Sequence, residues 1–106
     1  MSATALKTVR HVIGGRETAG ASTRAAPVWN PATGEHQAQV LLAETADVDV
    51  AVRAAHDAFA SWGDVSVTRR ARVMFAFRDL VEKHADELAR LVAAEHGKVV
   101  DFPTAV

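Results

Sequence analysis

Cysteine is absent from all 106 residues. That excludes disulfides, a thiolate nucleophile and any cysteine-built zinc site within the chain, and it fits a reducing compartment. No apolar run approaches the roughly 20 residues needed to span a bilayer. The opening Met1-Ser2-Ala3-Thr4-Ala5-Leu6-Lys7 has no signal-peptide hydrophobic segment. The expected location is cytoplasmic, with no membrane partner. Formal net charge is only -1, so neither nucleic acid nor an acidic membrane surface is expected as a partner. Internal repeats and low-complexity tracts are missing too. What is present is ordinary soluble-protein composition, 49% apolar and 24% charged. The length suits one domain with a modest core and a narrow stability margin.

The first part of the chain reads as strands and turns. Val9-Arg10-His11-Val12-Ile13 is β-branched and runs into Gly14-Gly15, a pair able to supply the positive φ angles of a two-residue hairpin turn. Residues 17–26 are small and polar, a loop or weak strand. Pro27-Val28-Trp29 is a short extended run, Asn30-Pro31-Ala32-Thr33-Gly34 a turn, and His36 to Leu42 a strand. Helical signals begin at Thr45, read as an N-cap, with Asp47 placed to complement the helix dipole. Val48, Ala51, Val52, Ala55, Phe59 and Trp62 recur at spacings of three and four, one apolar face closed by Gly63. A second helix, capped by Ser66 or Thr68, carries Val73, Met74, Phe77, Leu80 and Val81 as its buried stripe. A third starts near Asp86, buries Leu88, Leu91 and Val92, and stops at Gly97 as a left-handed C-cap. The helices pack on one another, or their faces are written to cover a sheet further along a longer chain.

Several groups invite a chemical reading. Gly15 to Ser22 has the spacing of a phosphate-binding loop, but Ala21 stands where the charge-neutralising lysine is needed. A flexible hairpin loop is the better reading. The histidines, at positions 11, 36, 56, 84 and 96, include no pair three or four apart, so they read as scattered surface residues rather than metal ligands. Arg69, Arg70 and Arg72 cluster at a helix start, where cations oppose the dipole. They read as a solvated face or as ion pairs with another subunit or domain. Asp79, Glu82, Asp86, Glu87 and Glu95 fall mostly on outward helical faces, with Asp79 and Lys83 spaced as an i,i+4 ion pair. Phe59, Trp62 and Phe77 lie on apolar faces and read as core. From the residues alone, no catalytic, cofactor-binding or metal-binding residue is assigned.

Taken together, four motifs carry a resemblance. His11-Val12-Ile13-Gly14-Gly15 resembles the first hairpin of aldehyde dehydrogenases. Asn30-Pro31-Ala32-Thr33-Gly34-Glu35 is similar to that family's turn, the helix from Asp47 to Trp62 to its first helix, and Glu95-His96-Gly97-Lys98 to its Glu-x-Gly-Lys terminus. Their order and spacing span residues 9–98. Ser66 to Arg78, with His96, resembles the methylmalonate-semialdehyde branch.

The resemblance implies an α/β fold, the N-terminal fragment of an aldehyde dehydrogenase NAD-binding domain, with a short β-hairpin region followed by three amphipathic helices. Residues 1–8 would be a tail, 9–98 the partial domain and 99–106 an atypical tail, in which Pro103 breaks any continuing helix. It implies NAD- and CoA-dependent oxidation of methylmalonate or malonate semialdehyde to propionyl-CoA or acetyl-CoA. A cysteine thiolate attacks the aldehyde, hydride passes to NAD, and CoA takes the acyl group from the thioester. The family's catalytic cysteine, oxyanion-stabilising asparagine, NAD-binding glycines and substrate-carboxylate arginine match no position here. The expectation is a truncated dehydrogenase, inactive alone and without cofactor of its own, from a homo-oligomeric family, associating through exposed apolar helix faces. A non-enzymatic interaction module and one half of a split dehydrogenase are the alternatives.

Overall fold

The computed structural model describes residues 6–99. The two tails beyond them, with the reading of Pro103 as a helix breaker, lie outside the described residues. The described residues divide into two units, one made of residues 6–29 and 36–63, the other of residues 30–35 and 64–99.

In the first unit, β1 (Lys7–Val9), β4 (Arg24–Trp29) and β5 (His36–Leu42) form one sheet in the order β1-β5-β4. β1 runs parallel to β5, with Lys7 opposite Ala38 and Val9 opposite Val40. β4 runs antiparallel, from Arg24 opposite Leu42 to Trp29 opposite His36, with an irregularity between Val28 and Trp29. Pro27 can sit within β4 because that strand is an edge. The expected strand over Val9 to Ile13 is broken at Arg10. β2 (His11–Ile13) leaves the sheet and pairs instead with β3 (Arg16–Thr18). Gly14 and Gly15 between them have φ of 61° and 77°, the double left-handed geometry of the tight hairpin turn. The small, polar stretch after Glu17 holds both the end of β3 and the start of β4, so it is more ordered than its composition suggests. α1 (Thr45–Trp62) starts where the sequence placed it, but Glu44 is its N-cap and Thr45 its first helical residue.

In the second unit, α2 (Val67–Lys83) is capped by Ser66, whose Oγ accepts from the Arg69 amide at 3.3 Å. His84 closes α2 and opens α3 (Ala85–His96), and Gly97 ends α3 at φ 73°, as the sequence predicts. The turn at 30–35 is internally bonded. Asn30 Oδ1 accepts from the Ala32 amide and Asn30 O from the Gly34 amide. A Cβ on Gly97 would come within 3.1 Å of Pro31, so the glycine also permits the helix end to approach this turn.

Burial departs most from expectation. Among the described residues only Ala38, Ala89 and Asp47 are buried. Val73, Met74, Phe77 and Leu80, the predicted stripe of α2, are all more than half exposed, and Leu88, Leu91 and Val92 of α3 are exposed as well. Phe59 is 66% exposed and Trp62 42%, so the aromatic residues are no core. The periodicity is correct and the faces exist. A helix face is buried only when a second layer lies on it, and in the described residues that layer is largely missing. Asp79 does not pair with Lys83. Arg78 takes both Asp79, at 3.7 Å, and Glu82, at 3.8 Å, through different guanidinium nitrogens, Nη2 and Nε.

Candidate functional site

The most organised polar cluster lies in the first unit and is centred on Asp47. Asp47 is the third residue of α1, and it is 5% exposed. Its Oδ2 accepts from the Glu44 amide at 2.8 Å, satisfying one of the helix-terminal donors. Its Oδ1 accepts from the Ala21 amide at 2.7 Å, which ties the 19–23 loop to the helix start. Ser22 Oγ donates to Oδ2 at 3.4 Å, and His11 Nε2 lies 2.6 Å from Ser22 Oγ and 3.9 Å from Asp47 Oδ2. Gly20 has φ 55°, and a Cβ there would fall 2.1 Å from Oδ1, so only glycine lets the loop approach this closely. Beside the cluster, Glu44 Oε1 accepts from Arg24 Nε at 3.2 Å, a second tie to the same helix end.

Two amide donors, first Ala21 and then Glu44, hold the Asp47 carboxyl below the ordinary aspartate range. Nearby His11 and the Ser22 hydroxyl act in the same direction, against burial, which opposes them. Asp47 is therefore an ionised acceptor. With its hydrogen directed at Asp47, Ser22 receives the His11 contact as acceptor, and that puts a hydrogen on Nε2.

Ser, His and Asp together suggest nucleophilic catalysis, but the connections do not suit it. In a hydrolytic triad the carboxylate orients the imidazole from the nitrogen opposite the serine. Here Asp47 and Ser22 address the same ring nitrogen, and the hydroxyl is engaged by the carboxylate. The arrangement fastens β2, the loop and α1 together. The loop whose spacing resembles a phosphate cradle does bind an anion, but that anion is the chain's own carboxylate. His11 is part of this cluster rather than a surface residue. No periodicity signals it, because its partners lie 11 and 36 positions away.

The other candidates stay apart. His56 and His84 sit beside Asp57 and Glu87 on exposed helix surface, and His36 stacks on Trp29 with ring centres 4.7 Å apart. Among the described residues no group of three or more histidine, aspartate or glutamate side chains is placed to hold a metal ion, and no helix is long and apolar enough to cross a membrane. Between the hairpin and α1 lies an open cleft of about 570 Å³, walled by Ile13, Arg16, Gly20, Asp47 and Val50.

The fastening has a pH dependence of fixed sign. A carboxyl whose folded-state pKa is depressed contributes stability that is complete above its unfolded value, about 3.9, and is lost as the pH falls through the lower folded value. The Asp47 carboxyl carbon resonance is expected to hold steady from pH 7 to about 4 and to show its protonation shift only below that. A transition centred above pH 5 in an NMR titration would mean that the carboxyl is not held down by these donors.

The model of the aldehyde dehydrogenase family matches residues 18–105. Malonate-semialdehyde dehydrogenase 3 of Geobacillus kaustophilus (strain HTA426) is 47% identical over 98 residues, which is 92% of this chain and 20% of that protein. A crystal structure from Sinorhizobium meliloti 1021, described as a methylmalonate-semialdehyde dehydrogenase complexed with NAD, superposes with a TM-score of 0.88 at 39% identity. It covers 93% of this chain and 20% of its own. The methylmalonate-semialdehyde dehydrogenase of Oceanimonas doudoroffii gives a TM-score of 0.85 at 45% identity, over 90% of this chain and 19% of its own. The chain thus spans about a fifth of the length of these relatives.

Proposed function

The chain belongs to the aldehyde dehydrogenase family, and from that premise we propose that it is a scaffold segment of the NAD-binding domain of a methylmalonate- or malonate-semialdehyde dehydrogenase. The reaction proposed for the whole protein is oxidation of the semialdehyde with NAD and CoA, yielding propionyl-CoA or acetyl-CoA and carbon dioxide. In that chemistry NAD accepts hydride and CoA accepts the acyl group. A cysteine nucleophile is required, and this chain has none, so the thiolate belongs to polypeptide outside it. NAD is likewise given no contact here. The glycine loop that resembles a phosphate cradle has its Ala21 amide engaged by Asp47, which does not fit a dinucleotide. Cytoplasmic location and assembly into a homo-oligomer are part of the same proposal.

The observation that carries the reading is the combination of well-formed, capped helices with uncovered apolar faces. Such faces suit a piece whose second layer is supplied by further polypeptide. The test is a chimera. Residues 9–98 replace the matching segment of the Oceanimonas doudoroffii enzyme, and NADH formation is followed with methylmalonate semialdehyde and CoA. Activity within roughly tenfold of the parent is expected, and none from the 106-residue chain alone. A chimera that does not assemble, or turnover by the chain alone, would sink the reading.

A further inference from the structure

Arg70 does not belong where it sits unless something answers its charge. It lies four, seven and eleven residues before Met74, Phe77 and Val81, a spacing that places all four on one side of α2. That side is apolar apart from Arg70. The residue is half-buried, and its Nε is buried with no hydrogen-bond partner. A native protein seldom leaves such a donor unmet.

Nothing nearby on α2 can answer it. The first turn of the helix holds no acidic residue. Farther along, Asp79 and Glu82 are both engaged by Arg78. Arg69 and Arg72 add two more cations at the same helix end, where the helix dipole already disfavours positive charge. Covering the face formed by Met74 and Phe77 would take the guanidinium further out of water. Arginine cannot escape by losing its proton. A covering layer that brought only apolar side chains would therefore strand a cation in its interface.

We propose that the segment covering α2 is an apolar stretch of the same dehydrogenase polypeptide, outside this chain, that carries an aspartate or glutamate, and that this carboxylate pairs with Arg70. The proposal rests on the scaffold reading given above. A carboxylate suits the site because its two oxygens match the guanidinium fork, and Nε is one of the donors in that fork. Arg70 is thus an assembly residue. It selects a covering layer by charge where Met74 and Phe77 select it by apolarity alone.

The chimera described above tests this with Arg70→Met and Arg70→Lys. Methionine leaves the partner carboxylate buried and unpaired, so the thermal midpoint should fall by roughly 5 °C. Lysine keeps the charge without the fork and should recover part of the loss. A crystal structure of the unmutated chimera should place a carboxylate within ion-pair distance of the guanidinium. An Arg70→Met chimera as stable as its parent, or more so, would overturn the proposal, since a solvated arginine is dispensable. Unchanged stability with a raised KM for NAD or CoA would overturn it in favour of a ligand contact. A homodimer of the 106-residue chain that Arg70→Met disperses, seen by sedimentation, would make a second copy the occupant and would also overturn it. Failure of the unmutated chimera to assemble removes the scaffold reading, and this proposal with it.

Discussion

Asp47→Ala is expected to free the 19–23 loop and fray the start of α1 in one stroke. The carboxylate takes the Ala21 amide on one oxygen and the Glu44 amide on the other, so alanine leaves both donors unmet. Hydrogen exchange at Ala21 should accelerate on the order of a hundredfold. Asp47→Asn is the sharper variant because its size is almost unchanged. Its amide has a single acceptor oxygen, so in either orientation an NH2 group faces one of the two backbone donors. Exchange at either Ala21 or Glu44 should then accelerate while the other amide keeps its protection. Retained protection at both amides in Asp47→Asn would show that the loop is held by something other than this carboxylate.

Thermal unfolding of the 106-residue chain by itself is expected to be broad, with strong binding of a hydrophobic dye before any transition. Full burial of a leucine or phenylalanine side chain is worth about 1.5–3 kcal/mol. Phe59, Phe77, Leu80 and Leu91 are each more than half exposed. They forgo an amount comparable with the whole stability of a typical domain, about 5–15 kcal/mol. The chimera, in which other polypeptide covers these faces, should melt in one sharp step. A sharp cooperative melt of the isolated monomer, with calorimetric and van't Hoff enthalpies equal, would count against the view that the faces await a covering layer.

Local signals in the sequence were enough for most of the elements. The strand His36–Leu42, the Gly14-Gly15 hairpin and the Gly97 stop are each written within a few residues and appear where expected, and of the two caps the sequence offers for α2, Ser66 and Thr68, Ser66 is the one used. The break at Arg10 was not legible, because leaving β1 for a new partner at β3 depends on residues elsewhere in the chain. Asp47 shows the same limit more strongly. An acid in a first helical turn reads as a dipole complement, and nothing local says that Ala21, Ser22 and His11 will close over it. Gly20 gave no cue for a similar reason, since the atom that forbids a side chain there belongs to a residue 27 positions later. For the helices, periodicity identifies a face but not what covers it, and so Met74 and Phe77 read as core while both are more than half exposed. Arg70 reads, with Arg69 and Arg72, as a solvated face or as an ion pair with another subunit or domain, and charge alone does not choose between them; its place in the 70, 74, 77, 81 series is what sets it on the apolar side of α2.

The two glycine loops of the first unit differ in what they permit an engineer to do. At Gly14 and Gly15 a side-chain position meets nothing within 4 Å, and the turn only joins two short strands. A short insertion at this tip meets no neighbour at its points of attachment, provided the inserted residues supply the left-handed turn themselves, since a side chain at φ 61° or 77° is strained. At Gly20 the same operation would drive apart the loop and the helix it is bonded to. Two sites that look alike in composition thus have opposite tolerance, and a tagged form of this protein should carry its label at the first.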